Sequence, residues 1–278
     1  MTYQSIDVRK LTPVIGAEVF GVDLGGQISN HQFEEVHQAL LDNLVIFFRD
    51  QTMTIDQHKA FAARFGRLHV HPNAPKAIEG HPEILVIKAD ENSKRVAGES
   101  WHSDVSCDEE PPMGSILHIH EVPENGGGDT MFANMYAAYD ALSEPMKKFL
   151  SGLTATHDSG KAHTYRTRAK DRDDMTFPAA EHPVIRTHPE TGRKALFVNR
   201  GFTTNIVQLG RSESDALLAM LFRHVETPSF SCRFKWRANS VAFWDNRAAQ
   251  HQALWDYYPQ RRFGYRVTVC GDKPFYRA

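Results

Sequence analysis

The chain has 278 residues, a formal net charge of −2, 41% hydrophobic and 24% charged residues; this is an ordinary globular composition with enough apolar side chains for a sizeable core, and it excludes wholesale disorder. A pI near 6.7 gives no field that would draw nucleic acid or an anionic membrane surface, so any bound anion must be held by local arginines. Cys107, Cys232 and Cys270 are three in number and widely spaced, the pattern of reduced thiols in a cytoplasmic protein rather than of a disulfide frame or zinc knuckle.

The opening Met-Thr-Tyr-Gln-Ser-Ile-Asp-Val-Arg-Lys has no apolar signal core, and Leu44-Val45-Ile46-Phe47-Phe48 is too short to span a bilayer. Residues 6–24 read as small strands and turns punctuated by glycine. Ser29 then caps a helix with Phe33, Val36, Leu40 and Leu44 on one stripe, and Gln32 stands where a capping box wants it. Residues 45–49 read as a strand. A second helix starts after Thr54, with Gln57 three residues on, and stops at Gly66. Leu68-His69-Val70-His71-Pro72 reads on its own as a polar strand end. A core strand is expected over 83–89, a polar loop over 90–100 and another strand over 113–122.

Gly126-Gly127-Gly128 lacks the Lys-Ser/Thr of a phosphate-binding loop, so it reads as a turn that sets Thr130 at a strand start. Short helices follow over 134–142 and 143–153. Residues 157–182 are polar with little apolar periodicity, the mark of a mobile lid or surface excursion. Pro189-Glu190-Thr191-Gly192 joins strands 183–188 and 194–199 in a hairpin. A helix over 212–226 precedes short strands at 230–236, 241–244 and 262–270. No repeat or linker divides the chain. Many short strands after an N-terminal helical section predict one domain over 1–278, mainly β with flanking helices around a double-stranded β-helix (jelly-roll) core.

The chemistry centres on Trp101-His102-Ser103-Asp104-Val105. If that stretch is extended, His102 and Asp104 fall on one face, where an imidazole and a carboxylate can grip the same ion. Fifteen histidines make one His-x-Asp triplet unremarkable, and two ligands hold a metal poorly, so a third is required. His251 is the candidate: two histidines and one carboxylate on one side of an ion leave the other side open, as suits non-haem Fe(II) oxygen chemistry. Arg262 and Arg266 are two strand repeats apart and face the same way in a regular strand. Buried guanidiniums need anions, because stranding them unpaired is costly.

His102-x-Asp104, Gly127-Gly128-Asp129-Thr130, Trp244-Asp245-Asn246-Arg247, His251 and Arg262 together resemble the taurine dioxygenase (TauD/TfdA-like) family of Fe(II)/2-oxoglutarate-dependent oxygenases. The likeness runs nearly end to end, through Phe65-Gly66, His182-Pro183-Val184, Arg186-Thr187-His188-Pro189, Phe202-Thr203-Thr204 and Gly271-Asp272-Lys273-Pro274-Phe275-Tyr276-Arg277-Ala278. The resemblance implies that His102, Asp104 and His251 ligate iron, and that Arg262 pairs with the distal carboxylate of 2-oxoglutarate, assisted by the Thr130 hydroxyl. It implies hydroxylation of an unactivated C–H bond with O2, releasing succinate and CO2. His71 and Arg266 match the anion-holding positions of taurine-oxidising relatives and are expected to bind substrate. Trp244, Phe202 and Phe132 are candidate pocket walls that could equally be core aromatics.

Ala74, Gly98, Cys107, Ala162 and His163 depart from the taurine-oxidising pattern, where tyrosine, asparagine, phenylalanine, serine and an aromatic stand. The changes remove bulk and hydrogen bonds, which implies a roomier cavity. The expected substrate is a small anion: an organosulfonate or sulfate ester, or alternatively a larger carboxylate. A jelly roll that binds a ligand without catalysis and a zinc hydrolase are the competing classes; the full set of iron and cosubstrate residues speaks against the first, and the lack of an evident general base against the second. The enzyme is expected to be cytoplasmic and a homo-oligomer, dimer or tetramer.

Overall fold

The computed structural model describes residues 3–71, 78–164 and 177–278. Strands β1 (Asp7–Lys10) and β2 (Ala17–Phe20) precede helix α1 (Asn30–Asn43). Ser29 caps α1 by accepting from the Gln32 amide, and the helix ends where Leu44 turns to φ 65°. Gln32 does not complete a capping box: its side chain donates to the Gly21 carbonyl at 2.9 Å, tying α1 to the β2 turn. After β3 (Val45–Phe48), α2 (Ile55–Ala63) does open on the expected box between Thr54 and Gln57.

Next come β4 (Ile84–Ala89), β5 (Gly114–Glu121), β6 (Thr130–Asn134), α3 (Met135–Asp140), α4 (Glu144–Leu150), β7 (Thr154–Asp158) and α5 (Ser159–Thr164). The chain continues through β8 (Ala179–Pro183), β9 (Ile185–Thr187), β10 (Lys194–Leu196), β11 (Thr203–Ile206) and α6 (Arg211–Val225), and closes with β12 (Ser231–Phe234), β13 (Ser240–Asp245), β14 (Ala249–Ala253) and β15 (Arg262–Val269).

The larger sheet runs β1-β2-β3-β13-β5-β15-β4 and faces a smaller one, β12-β6-β14. Strict alternation along the central strands builds two cores. Ala242 and Trp244 of β13 and Leu117 and Ile119 of β5 point between the sheets, where Phe132 and Phe234 meet them. Val241, Phe243 and Ile116 point to the other face, which Val36 and Leu40 of α1 and Phe61 of α2 cover. Phe47 and Phe234 stack across the sheets with ring centroids 3.8 Å apart. This is the expected jelly roll with helices outside it.

The ends of the anticipated lid belong to the fold. β7 and β8 pair antiparallel beside β11, and His157 and His182 are buried there against Phe197; histidines serving as core side chains left no apolar pattern in the sequence. Residues 165–176 of that stretch lie outside the described residues.

Candidate active site

The metal-ligand candidates are brought together by backbone pairing. His102 and His251 form an isolated antiparallel bridge and exchange both amide hydrogen bonds, at 3.0 and 2.8 Å. Residues opposed in this way carry their side chains on one face, so the two imidazoles lie with centroids 4.1 Å apart. His251 sits in β14, a strand paired with β6 and absent from the sequence reading. Trp244 and Phe132 back its ring, at 4.7 and 6.1 Å; both are core aromatics. Phe202 lies on the other side, 6.2 Å from the His102 ring.

The stretch around His102 is extended only at the bridge. Asp104 begins a turn, and Val105 takes a left-handed φ of 46°, so Asp104 reaches the imidazoles from a loop and not along a strand. Its Oδ1 lies 3.7 Å from His102 Nε2 and 3.8 Å from His251 Nε2. One ligand atom from each of the three residues falls within 4.8 Å of the others, close enough to converge on one cation.

Protonation suits that role. The Ser100 carbonyl, 2.7 Å from His102 Nδ1, can only accept, so Nδ1 is the donor there and Nε2 is the nitrogen left to face an ion. Burial, with His102 beside it, holds His251 well below its usual pKa and keeps it neutral. Burial opposes ionisation of Asp104, yet the Arg266 charge outweighs it and holds the carboxyl well below the usual range. Two neutral imidazoles and an ionised carboxylate are the donor set a divalent first-row ion requires.

Beyond the triad, the cosubstrate candidates Arg262 and Thr130 are both buried. Arg262 is 6% exposed, its guanidinium stands 5.4 Å from the Trp236 ring, and its Nε has no hydrogen-bond partner among the described residues. Thr130 Oγ1 accepts from Trp236 Nε1 at 3.0 Å, which leaves its own proton to donate. A buried guanidinium beside a free hydroxyl proton matches a carboxylate. Gly128, at φ +82°, makes room: a Cβ there would stand 2.9 Å from Arg262 Cδ.

Arg266 faces the same way as Arg262 but is engaged, with Nη1 2.7 Å from Asp104 Oδ1. Of the two arginines, Arg266 thus has its anion within the protein. His71 is half-buried at the same place: burial and then the Arg266 charge lower its pKa, and Asp104 partly restores it. Gly98, at φ +87°, lies over the other imidazole, where a Cβ would stand 3.1 Å from His102 Cε1. Cys107 is buried, and that burial pushes its thiol up to about 12. Ala74 and the side chains of Ala162 and His163 lie outside the described residues.

Two residues at the site went unassigned in the sequence. Ser115 donates to Asp104 Oδ2 at 2.7 Å, and Asn246 Oδ1 accepts from the Asp104 amide at 3.2 Å. Asn246 could have been singled out as a polar residue within Trp244-Asp245-Asn246-Arg247; nothing marks Ser115.

Residues 7–268 match the profile of the family described as "Taurine catabolism dioxygenase TauD, TfdA family". An alpha-ketoglutarate-dependent sulfate ester dioxygenase of Pseudomonas putida is 35% identical over 281 residues, spanning 97% of this chain and 91% of that protein. An alpha-ketoglutarate-dependent sulfonate dioxygenase of Saccharomyces cerevisiae is 34% identical over 287 residues, 97% of this chain and 68% of the relative. The crystal structure of a taurine dioxygenase from Burkholderia xenovorans superposes with a TM-score of 0.84 at 38% identity, covering 98% of this chain and 93% of that one. The chain therefore belongs to the TauD/TfdA family of Fe(II)/2-oxoglutarate-dependent dioxygenases.

Proposed function

We propose that this enzyme hydroxylates a C–H bond of a small organic sulfonate or sulfate ester, using Fe(II), 2-oxoglutarate and O2 and releasing succinate and CO2. The observation that carries the reading is the pairing of Arg266 with Asp104 Oδ1 at 2.7 Å, with His71 within reach of both charges. A cation with further donors at the edge of the metal triad is where an anionic head group would hold a neighbouring C–H bond toward the ion. The sulfonate and sulfate ester dioxygenases among its relatives favour a sulfur oxyanion.

When bound, Fe(II) with 2-oxoglutarate and O2 supplies the oxidising power. The protein's part is positional. His102, Asp104 and His251 would hold the ion from one side and leave the other open. Arg262 and Thr130 would fix the distal carboxylate of the cosubstrate, Arg262 with a planar fork that suits it. Arg266 and His71 would fix the head group of the substrate. Gly98 places no side chain over the His102 ring, which leaves space for a substrate body larger than that of taurine.

The same reading takes the enzyme as a cytoplasmic homo-oligomer, dimer or tetramer, without a nucleic-acid or membrane partner. The near-neutral net charge of −2 supports the last point. The test of substrate class is succinate release and oxygen uptake with alkyl and aryl sulfonates, alkyl sulfates, taurine and aryloxyalkanoates at equal concentration. Fastest turnover of a sulfate ester or a larger sulfonate is expected. A strong preference for taurine would refute the roomier pocket, and a preference for carboxylates would refute the sulfur oxyanion.

A further inference from the structure

We propose that Asn246 and Ser115 are positioning residues that turn one oxygen of Asp104 toward the metal ion and thereby set the affinity and coordination of the site; this rests on the reading of His102, Asp104 and His251 as metal ligands. The need for such a device follows from the local backbone. Asp104 stands at the start of a turn, followed by Val105 at φ 46°, with no strand neighbour to fix its direction. A carboxylate so placed can present either oxygen, or both, unless something holds it.

The hydrogen bonds around it leave one arrangement. Asn246 Oδ1 accepts from Trp244 Nε1 at 3.0 Å and from the Asp104 amide at 3.2 Å. Two donors at that atom identify it as the oxygen, so the Asn246 amide nitrogen faces the other way, where it donates to Ser115 Oγ at 3.3 Å. Because Ser115 Oγ accepts that bond, its own proton goes to Asp104 Oδ2, 2.7 Å away. Oδ2 is thereby tied back, and Oδ1 is the atom near the two imidazole Nε2 atoms, at 3.7 and 3.8 Å, where Arg266 Nη1 meets it from the side at 2.7 Å without engaging Oδ2.

The clamp is rigid because it is buried and braced. Ser115, Asn246 and Asp104 are 0%, 2% and 3% exposed, so each unmade bond in this chain would strand a polar group away from water. On the outer side of the same turn, Asp245 accepts from Arg247 Nε at 2.9 Å and Nη2 at 2.7 Å, and His188 Nε2 lies 3.1 Å from its Oδ2. That brace fixes the β13–β14 turn, and the turn points Asn246 inward. Ser103 provides a comparison: its hydroxyl donates to the Asn246 and Ala249 carbonyls at 3.2 and 3.0 Å, holding the loop without touching the carboxylate.

The test uses Co(II) as the probe, titrated anaerobically into the whole chain and followed by calorimetry and by the visible Co(II) spectrum. Ser115→Ala and Asn246→Ala should each weaken Co(II) binding about tenfold or more, the usual cost of removing a partner of a metal ligand. The Co(II) band of Ser115→Ala should change in intensity as the freed Oδ2 joins the ion. Ser103→Ala, as buried but off the carboxylate, should stay within about threefold of the parent and keep its spectrum. Thermal midpoints of the metal-free proteins identify any variant that fails to fold; Ser115→Ala, which removes one hydroxyl, then decides the matter alone. Parent-like affinity and spectrum in Ser115→Ala, or an equal loss in Ser103→Ala, overturns the proposal. If the parent itself does not bind Co(II), the reading of the triad fails instead.

Discussion

Arg262 and Arg266 project from the same face of β15 four residues apart, and among the described residues only Arg266 has a carboxylate partner. Arg266 Nη1 is 2.7 Å from Asp104 Oδ1, whereas no described carboxylate lies within ion-pair distance of Arg262, which is 6% exposed. A permanently charged group buried without a counter-ion is costly, and that difference separates the roles of the two arginines.

Arg262→Ala is expected to weaken 2-oxoglutarate binding by about 3 to 5 kcal/mol, because the distal carboxylate would then be buried alone. Anaerobic titration with the keto acid in the presence of Fe(II), read by calorimetry, measures it. A loss below tenfold would remove Arg262 from the cosubstrate site.

Arg266→Ala is expected to leave Fe(II) and 2-oxoglutarate binding in place, since Ser115 still holds Asp104 at 2.7 Å. Its kcat/KM for the preferred substrate should fall about 10- to 100-fold, the range for a lost charge-assisted hydrogen bond. Undiminished turnover would exclude Arg266 from holding the substrate.

Much of the fold was legible because local chemistry and tertiary structure agree. Thr54 with Gln57, the hairpin through Pro189-Glu190-Thr191-Gly192, and Thr130 after its glycine turn all stand where their side chains predict. The failures have a common cause. β14 reads Ala-Gln-His-Gln-Ala, with no β-branched residue, and is a strand only because β6 and His102 pair with it. Gln32 found a better acceptor at Gly21 than its own helix start. Asp104 leaves the extended path because Val105 adopts φ 46°, a conformation that valine does not signal. The metal ligands were visible as residue types in order, while Ser115 and Asn246 matter only through contacts between distant parts of the chain.

Gly98→Asn is expected to reduce turnover of bulky substrates at least tenfold more than that of short ones. Its Cβ would stand 3.1 Å from His102 Cε1 and 3.7 Å from Nε2, so the side chain fills space above the imidazole. The positive φ adds strain, about 1 to 2 kcal/mol at most, and less for asparagine than for other residues. Parallel assays with a short and a long alkyl sulfonate read the effect; equal losses for both would mean that the space is not used by substrate.

Acid should destabilise the fold through histidines on the helix-covered side of the larger sheet. Burial lowers His58 of α2 to about 3 and His118 of β5 to about 4, and their rings lie 6.1 Å apart between helix and sheet. In the unfolded chain both titrate near 6.5. Below that pH the unfolded state binds protons that the folded state refuses, so their contribution is fully present above about 6.5 and is lost as pH falls toward 4. Each costs about 1.4 kcal/mol per pH unit over that window. Urea midpoints between pH 7.5 and 5 should show the decline, and His58→Gln should flatten it; an unchanged slope would show that His58 is not buried neutral.

The central claim is that two histidines and one aspartate share an iron ion beside a bound keto acid. Anaerobic addition of Fe(II) and 2-oxoglutarate to the parent should produce a weak visible charge-transfer band, and admission of O2 with substrate should yield succinate. His102→Ala should show neither. A parent protein that develops no band and releases no succinate, or a His102→Ala variant that matches the parent in both, contradicts the account.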